Sequence, residues 1–429
     1  MGIGSHTEQI QQIRLQAGKL NQWLPALLAF ALPLSTSVVS VTAALILVLW
    51  LIEGRWRNKW AVITSNPVAL AVLGFLTLLC LGLLWSDNLI VGIQVIQDYW
   101  KIAMLPVLLT AINYRYQGLY ITAFVAGIST AMLLTFLVWF DLLHYADVTP
   151  THLTPKTFHV IYNPLLAFAA YLIFHAAIWG KLIQQYPVSR IVRVALFCLA
   201  GVMCLNMFLT EGRTGQLVFL VLLGLLLLQI FAQKRMLAIL GICFLLPVIF
   251  LIGYRYSPIF QQRINMARQE IQGFRENPDT SVGMRLLFVQ NSLQLISRHP
   301  WTGVGTGDFQ ASYAEVNQKR SPASIATDNP HNQYVLVAAM LGIPGFLLLL
   351  LIFAVMFIQA WKFGDDRQRI CCAFPVFFLV IMLAESYLKV YETGFLFSLF
   401  SAVLFVCEPA SSHAETLHSE TQGGCLTDG

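Results

Sequence analysis

Asn329-Pro330-His331-Asn332-Gln333-Tyr334-Val335-Leu336 is the point at which a hydrophilic stretch, begun at Arg255 and ending at Pro330, gives way to an apolar run that continues to Trp361. The reading of the whole chain follows from that junction. Its flanks are apolar in both directions, and the composition extends the pattern to the rest. Of 429 residues 57% are hydrophobic and only 11% charged, with a mean hydropathy of +0.70. That is too little polar residue to coat a soluble globule of this size. The sequence therefore predicts an all-α polytopic membrane protein.

Runs long enough to cross a bilayer, roughly 17 to 25 residues, are read near 67–85, 100–112, 119–143, 158–179, 192–210, 215–231, 236–254, 333–361, 370–386 and 393–407. The 100–112 run is short and is read as extending back through Ile96. The block from Trp23 to Ile52 is long for one span, and Pro33-Leu34-Ser35-Thr36-Ser37 interrupts it with turn chemistry. Arg14 and Lys19 precede this block and Arg55, Arg57 and Lys59 follow it. Lys and Arg mark cytoplasmic span ends, so an even number of crossings between them fits best. The block is accordingly read as a tight helical hairpin, which gives about twelve spans with both termini cytoplasmic. The expected organisation is transmembrane helices 1–9 over residues 1–254, a periplasmic loop with interfacial helices over 255–330, transmembrane helices 10–12 over 331–407, and a cytoplasmic tail over 408–429.

Following the alternation, fourteen of the 26 Lys and Arg fall on the inner side and four on short outer connections; the other eight lie in the long outer segment. Long segments are exempt from the charge rule, so fourteen against four sets the orientation. Arg213, Lys156, His159, Lys389, the 255–330 segment and His331 then share the outer face. Polar residues gathered at one edge, rather than spread through mid-membrane depth, argue against a transporter. The eight cysteines lie mostly in apolar runs, have no metal-ligand spacing and read as small apolar fillers. No cleavable signal is expected at the N-terminus, which is polar through Asn21. The net charge of +5 says little about nucleic acid, and no nucleic-acid partner is expected.

A structureless loop of about 75 residues would be unusual, and this one has helical periodicity. Ile264, Ala267, Ile271 and Phe274 recur at helical spacing, as do Leu286, Val289, Leu293 and Ile296, then Phe309, Tyr313 and Val316. These predict interfacial helices lying over the bundle. Between the last two lies Pro300-Trp301-Thr302-Gly303-Val304-Gly305-Thr306-Gly307. Alternate glycines permit a sharp turn and close backbone approach, either as a plain structural turn or as a nest of free amides for an anion.

Arg213 stands in Thr210-Glu211-Gly212-Arg213-Thr214-Gly215, at the outer junction of two apolar helices. It reads either as an interfacial arginine reaching for water or as a phosphate ligand, its flanking glycines leaving the guanidinium open beside a helix N-terminus. Arg285, one turn into the second outer helix, is either a solvated side chain or a second phosphate fork. His331 follows Pro330, which suits the first turn of a helix, with Asp328 or Asn329 as the expected cap. A histidine at a helix N-terminus is kept available as a base; a structural histidine is the other reading. Lys156, His159 and Lys389 are possible residues of the same cavity, and Glu385 is expected to pair with Lys389 one turn on. No outer carboxylate cluster suits Mg²⁺ or Mn²⁺, since Asp365-Asp366 falls on the inner side, and no hydrolase elbow or zinc motif is present. The predicted site is arginine and histidine, without metal or cofactor: cations to hold an anionic leaving group and a base to activate a hydroxyl.

These residues carry a resemblance. Gly212-Arg213-Thr214-Gly215 at a helix junction, the Arg285 helix, His299-Pro300-Trp301-Thr302-Gly303-Val304-Gly305, and Pro330-His331-Asn332-Gln333-Tyr334 opening a membrane helix together resemble the O-antigen ligase and polymerase superfamily. Within it the chain is most similar to the O-antigen ligases. The resemblance implies a GT-C-like glycosyltransferase of the bacterial inner membrane with its active site facing the periplasm. Such an enzyme moves a finished glycan from undecaprenyl pyrophosphate to a sugar hydroxyl of lipid A-core in lipopolysaccharide biosynthesis, by metal-independent inverting transfer. It implies Arg213 and Arg285 on the pyrophosphate, His331 as the catalytic base, and a lipid-linked donor, a lipid A-core acceptor and membrane lipids as partners. O-antigen polymerases and protein O-oligosaccharyltransferases use a similar donor and are the alternatives.

Overall fold

A computed structural model describes residues 2–144, 159–180 and 189–406. Among them every regular element is helical, as an apolar chain needs if its backbone is to satisfy its own hydrogen bonds in lipid. The N-terminal α1 (Gly2–Asn21) leads into the predicted hairpin, α2 (Leu24–Ala31) and α3 (Thr36–Glu53). Ser35 turns the chain between them by accepting the Val38 amide. A Cβ on Gly18 of α1 would stand 2.9 Å from the Glu53 carboxylate at the end of α3. The chain thus enters and leaves the hairpin at the same end.

Next come α4 (Trp56–Ser65), α5 (Pro67–Leu81) with a 3₁₀ turn over Gly82–Trp85, then α6 (Leu89–Asp98), α7 (Trp100–Ala103), α8 (Leu105–Ala111), α9 (Gln117–Trp139) and α10 (His159–Trp179). They are followed by α11 (Arg190–Leu209), α12 (Arg213–Ile230) and α13 (Arg235–Tyr256). Three helices fill the hydrophilic stretch where the periodicity placed them: α14 (Pro258–Gln272), α15 (Ser281–Arg298) and α16 (Phe309–Arg320). The chain ends its described part with α17 (Gln333–Ala360), α18 (Asp365–Ile381) and α19 (Tyr391–Phe405).

Eight of these helices are long and apolar enough to cross a membrane on their own. The other four expected spans coincide with α2, the broken pair α7 and α8, α18 and α19, which are shorter. Twelve residues from Trp100 to Ala111 rise only about 18 Å against a hydrocarbon core of about 30 Å, so α7 and α8 depend on neighbours. They lean on α19, which is apolar on every side and buried almost throughout. Its Phe397 and Phe400 meet Phe124, Phe168, Phe374 and Phe378 of neighbouring helices edge-to-face or stacked at 5.1–6.3 Å.

Two departures from expectation shape the site. The predicted span over 370–386 begins earlier, at Asp365, and stops at Ile381. The carbonyls just beyond it are taken by another part of the chain: Met382 accepts the Gln333 amide at 3.0 Å and Leu383 the Asn332 side chain at 3.1 Å. α17 is broken at Gly342, where φ is +67, and the break is closed by the glycine run. Val304 and Gly305 donate their amides to Ala339 and Met340 of α17, each at 2.9 Å, and Ile343 returns its amide to Pro300 at 2.7 Å. Thr306 and Gly307 spend theirs on Gly82 and Ser86. Those amides are used up within the protein, so the run is a structural turn and the anion nest is ruled out at those positions.

Candidate active site

His331 lies just before α17, not inside it. Its φ of +51 is left-handed, and Asn332, not Asp328 or Asn329, caps the helix, accepting the amides of Tyr334 and Val335 at 3.0 and 3.1 Å. A left-handed residue cannot continue an α-helix, which is why the cap falls at Asn332, three residues past Asn329. A left-handed non-glycine residue costs on the order of 1–3 kcal/mol and persists only where its surroundings enforce it. Here Asn329 does so, its Oδ1 accepting the His331 amide at 3.0 Å while Thr327 locks Asn329 in turn.

The imidazole is directed by Glu385. Nδ1 of His331 lies 2.5 Å from Glu385 Oε2, while Glu385 Oε1 accepts from Asn329 Nδ2 at 2.6 Å and from the Ser386 amide at 2.8 Å. Burial pushes the Glu385 carboxyl up, but His331, the Ser386 amide and Asn329 together outweigh it and hold it below its ordinary range. An ionised carboxylate only accepts hydrogen bonds, so the proton between them belongs to Nδ1, and Nε2 is the ring nitrogen that can take one. The expected Glu385–Lys389 pair is therefore not formed. α18 has already ended, the two side chains are not on one helical face, and Lys389 pairs instead with Asp98 at 3.2 Å.

One face of α15 joins this dyad to the arginines. Ser281, Arg285 and Phe288 are spaced i, i+4, i+7 and form one stripe. At one end Ser281 Oγ accepts from Arg213 Nη2 at 3.3 Å. At the other, the Phe288 ring stacks on the His331 imidazole, 6.0 Å between centroids and 25° between planes. Arg285 stands between, and seven residues of helix rise only about 10 Å. Sequence reasoning named Arg213, Arg285 and His331; the stripe brings the three together.

Neither arginine forms an ion pair with a described residue. Arg213 lies within the field of Arg285 and Arg263, countered by Glu270, but Arg263 is bound to Glu211 and Glu270 Oε2 accepts the Val282 amide. Arg213 also stands at the positive end of its helix, where a cation is disfavoured. An anion between them would relieve both penalties. The glycines beside Arg213 have another task than exposing it. A Cβ on Gly212 or Gly215 would stand 2.4 or 2.3 Å from Asn163 of α10, and Asn163, fully buried, bonds Thr210 Oγ1 and the Glu211 carbonyl. They let the junction press against α10.

Tyr387 closes the floor. It is fully buried, donates to the Val160 carbonyl at 2.8 Å, and lies near Thr214, Arg285 and Glu385. Burial, then the Glu385 charge, push its phenol well above the usual range against the pull of Arg285 and Thr214, so it stays protonated. His159 opens α10 beside this contact, and Lys156 lies outside the described residues. Lys389 faces a separate recess. The residues that sequence reasoning missed are Asn329, Glu385 as partner of His331, Phe288 and Tyr387. The available signal was that Glu385 is a rare acid on the same face as His331.

Residues 197–350 match the family model described as O-antigen ligase. That match covers 154 of the 429 residues and supports membership of the O-antigen ligase/polymerase superfamily. The matched segment holds Arg213, Arg285, His331 and the whole α15 stripe, and ends before Glu385 and Lys389. Members of the O-antigen ligase family are glycosyltransferase-like enzymes of O-antigen processing. No curated protein matches the chain.

Proposed function

We propose that this protein is an O-antigen ligase: it transfers a glycan from undecaprenyl pyrophosphate to a sugar hydroxyl of lipid A-core, on the periplasmic side of the inner membrane. The observation that carries this reading is the α15 stripe, about 10 Å from Ser281 to Phe288, which links Arg213 at one end and Arg285 in its middle, neither in an ion pair with a described residue, to the carboxylate-directed His331 stacked at its other end. His331 Nε2 takes the proton of the acceptor hydroxyl as its oxygen attacks the anomeric carbon. The bond from that carbon to the pyrophosphate oxygen breaks on the opposite side, which inverts the configuration. Both electrons of that bond leave with undecaprenyl pyrophosphate, whose growing charge Arg213 and Arg285 offset. Glu385 stabilises the imidazolium that forms, as a buried carboxylate does for other histidine bases.

The glycosyl pyrophosphate supplies the driving force, so His331, Glu385 and the arginines need only position and neutralise. The donor's lipid tail can stay in the bilayer while its head enters from the edge where the polar residues collect. The orientation follows from the asymmetry of Lys and Arg. Purified protein incubated with labelled lipid-linked glycan and lipid A-core tests the reaction, the expected product being labelled lipopolysaccharide. Longer lipid-linked chains would instead make it a polymerase, and label on Ser or Thr of an added exported protein would make it a protein glycosyltransferase.

A further inference from the structure

The Lys389–Asp98 ion pair edges a second recess, of about 130 Å³, between α6, the start of α16 and the first turns of α17. A single water needs only about 10–15 Å³ of such space, so the recess is far larger than a structural water site. Its polar rim is Gln94, Asp98, Gln310, Asp328 and Lys389. Its floor is apolar, with Phe309, Leu336 and Met340 all buried. Two carboxylates against one ammonium make the rim unsuited to a phosphate. Alternating acceptors and donors over an apolar floor suit a pyranose, which presents hydroxyls at its edge and C–H groups on its face.

The recess is also tied to the dyad through short stretches of chain. Asp328 lies three residues before His331, and Lys389 four residues after Glu385, so a backbone path of at most about 14 Å joins each pole of the dyad to the rim. We propose that this recess is the acceptor subsite, holding one uncharged sugar ring so that its hydroxyl reaches His331 Nε2. The proposal deepens the transfer reading and rests on it. Gln310 and Asp328 are the ring's hydrogen-bond partners; the Lys389–Asp98 pair fixes the opposite wall.

Gln310 is exposed on the first turn of α16 and Asp328 is exposed in the loop before His331, so both tolerate substitution without loss of fold. Full-length protein is assayed with donor saturating and lipid A-core varied, for wild type, Gln310→Trp and Asp328→Asn. Gln310→Trp fills the recess and is expected to raise the acceptor KM about tenfold or more, and Asp328→Asn to raise it several-fold, with donor KM little changed. Unchanged acceptor KM in both variants, with an active wild type, overturns the subsite and leaves the transfer reading standing. A wild type that forms no glycan product at all overturns both. A rise in donor KM equal to that of the acceptor also overturns the subsite, because it would place the recess on the donor path.

Discussion

Two loops are stitched to α17, and they are stitched differently. Pro300–Gly307 enters the break at Gly342 through backbone bonds: the carbonyls orphaned by the break take loop amides, and the freed Ile343 amide finds Pro300. The loop before Gln333 is held chiefly by side chains, Thr327, Asn329, Glu385 and Ser386 bonding one another around the His331 backbone. The first arrangement leaves no reactive group over. The second fixes a left-handed histidine and one edge of its ring while its other ring nitrogen stays free to act. Glycine-rich backbone in this chain builds structure, and the proposed chemistry falls to side chains whose positions other side chains enforce.

If that division holds, substitutions in the two loops fail in different ways. His331→Ala should lower glycan transfer by about 10²–10⁴-fold, the range for loss of a general base, with membrane insertion and thermal unfolding of the purified protein unchanged. Near-normal turnover would remove the base assignment. Arg285→Ala should follow with about a 10²–10³-fold loss. Arg213→Ala should act in the same direction, and the double variant should lose less than the product of the two because they serve one anion. Additive losses would show that they serve separate ligands.

Glu385→Gln should cost about tenfold or more in turnover, as a neutral amide no longer stabilises a cationic ring. Its effect on stability has a definite sign. The folded carboxyl titrates below its ordinary value of 4.5, so its stabilising contribution is complete above that value and is lost as pH falls through the lower folded one. The difference in unfolding temperature between wild type and variant should therefore be flat at neutral pH and shrink only in acid. A difference that shrinks instead as pH rises through neutrality would contradict the ionised pairing. The smallest effect on turnover belongs to the other loop. Gly303 has φ +66, and a Cβ there would stand 2.3 Å from the Met340 carbonyl, so Gly303→Ala should destabilise by about 1–3 kcal/mol with activity per folded molecule retained.

Much of this architecture was legible because it is written locally. Apolar runs give the long spans, and helical spacing gave α15 and α16 inside a stretch that hydropathy alone would leave as a loop. What was not legible depends on partners far along the chain. Nothing near Ile381 ends α18; Asn332 and Gln333, some fifty residues earlier, take its next carbonyls, and that early stop frees Glu385 to reach His331. The glycine run could be read equally as a turn or as an anion nest until the broken helix it serves was in view. Arg213, Arg285 and His331 were each visible as cations or bases on one face. Their alignment along one helix needed the packing of Phe288 and Ser281 to be known.

The break at Gly342 also divides α17 mechanically. Below it, Ile343–Ala360 rises about 27 Å, close to the thickness of a hydrocarbon core by itself. Above it, the short segment Gln333–Leu341 is clamped to the glycine run and ends at the histidine. The lower part behaves as a piling driven through the bilayer and the upper as a bracket bolted to the cap. The joint thus separates the apolar length of α17 from the segment that leads to the histidine, which the glycine run holds in place.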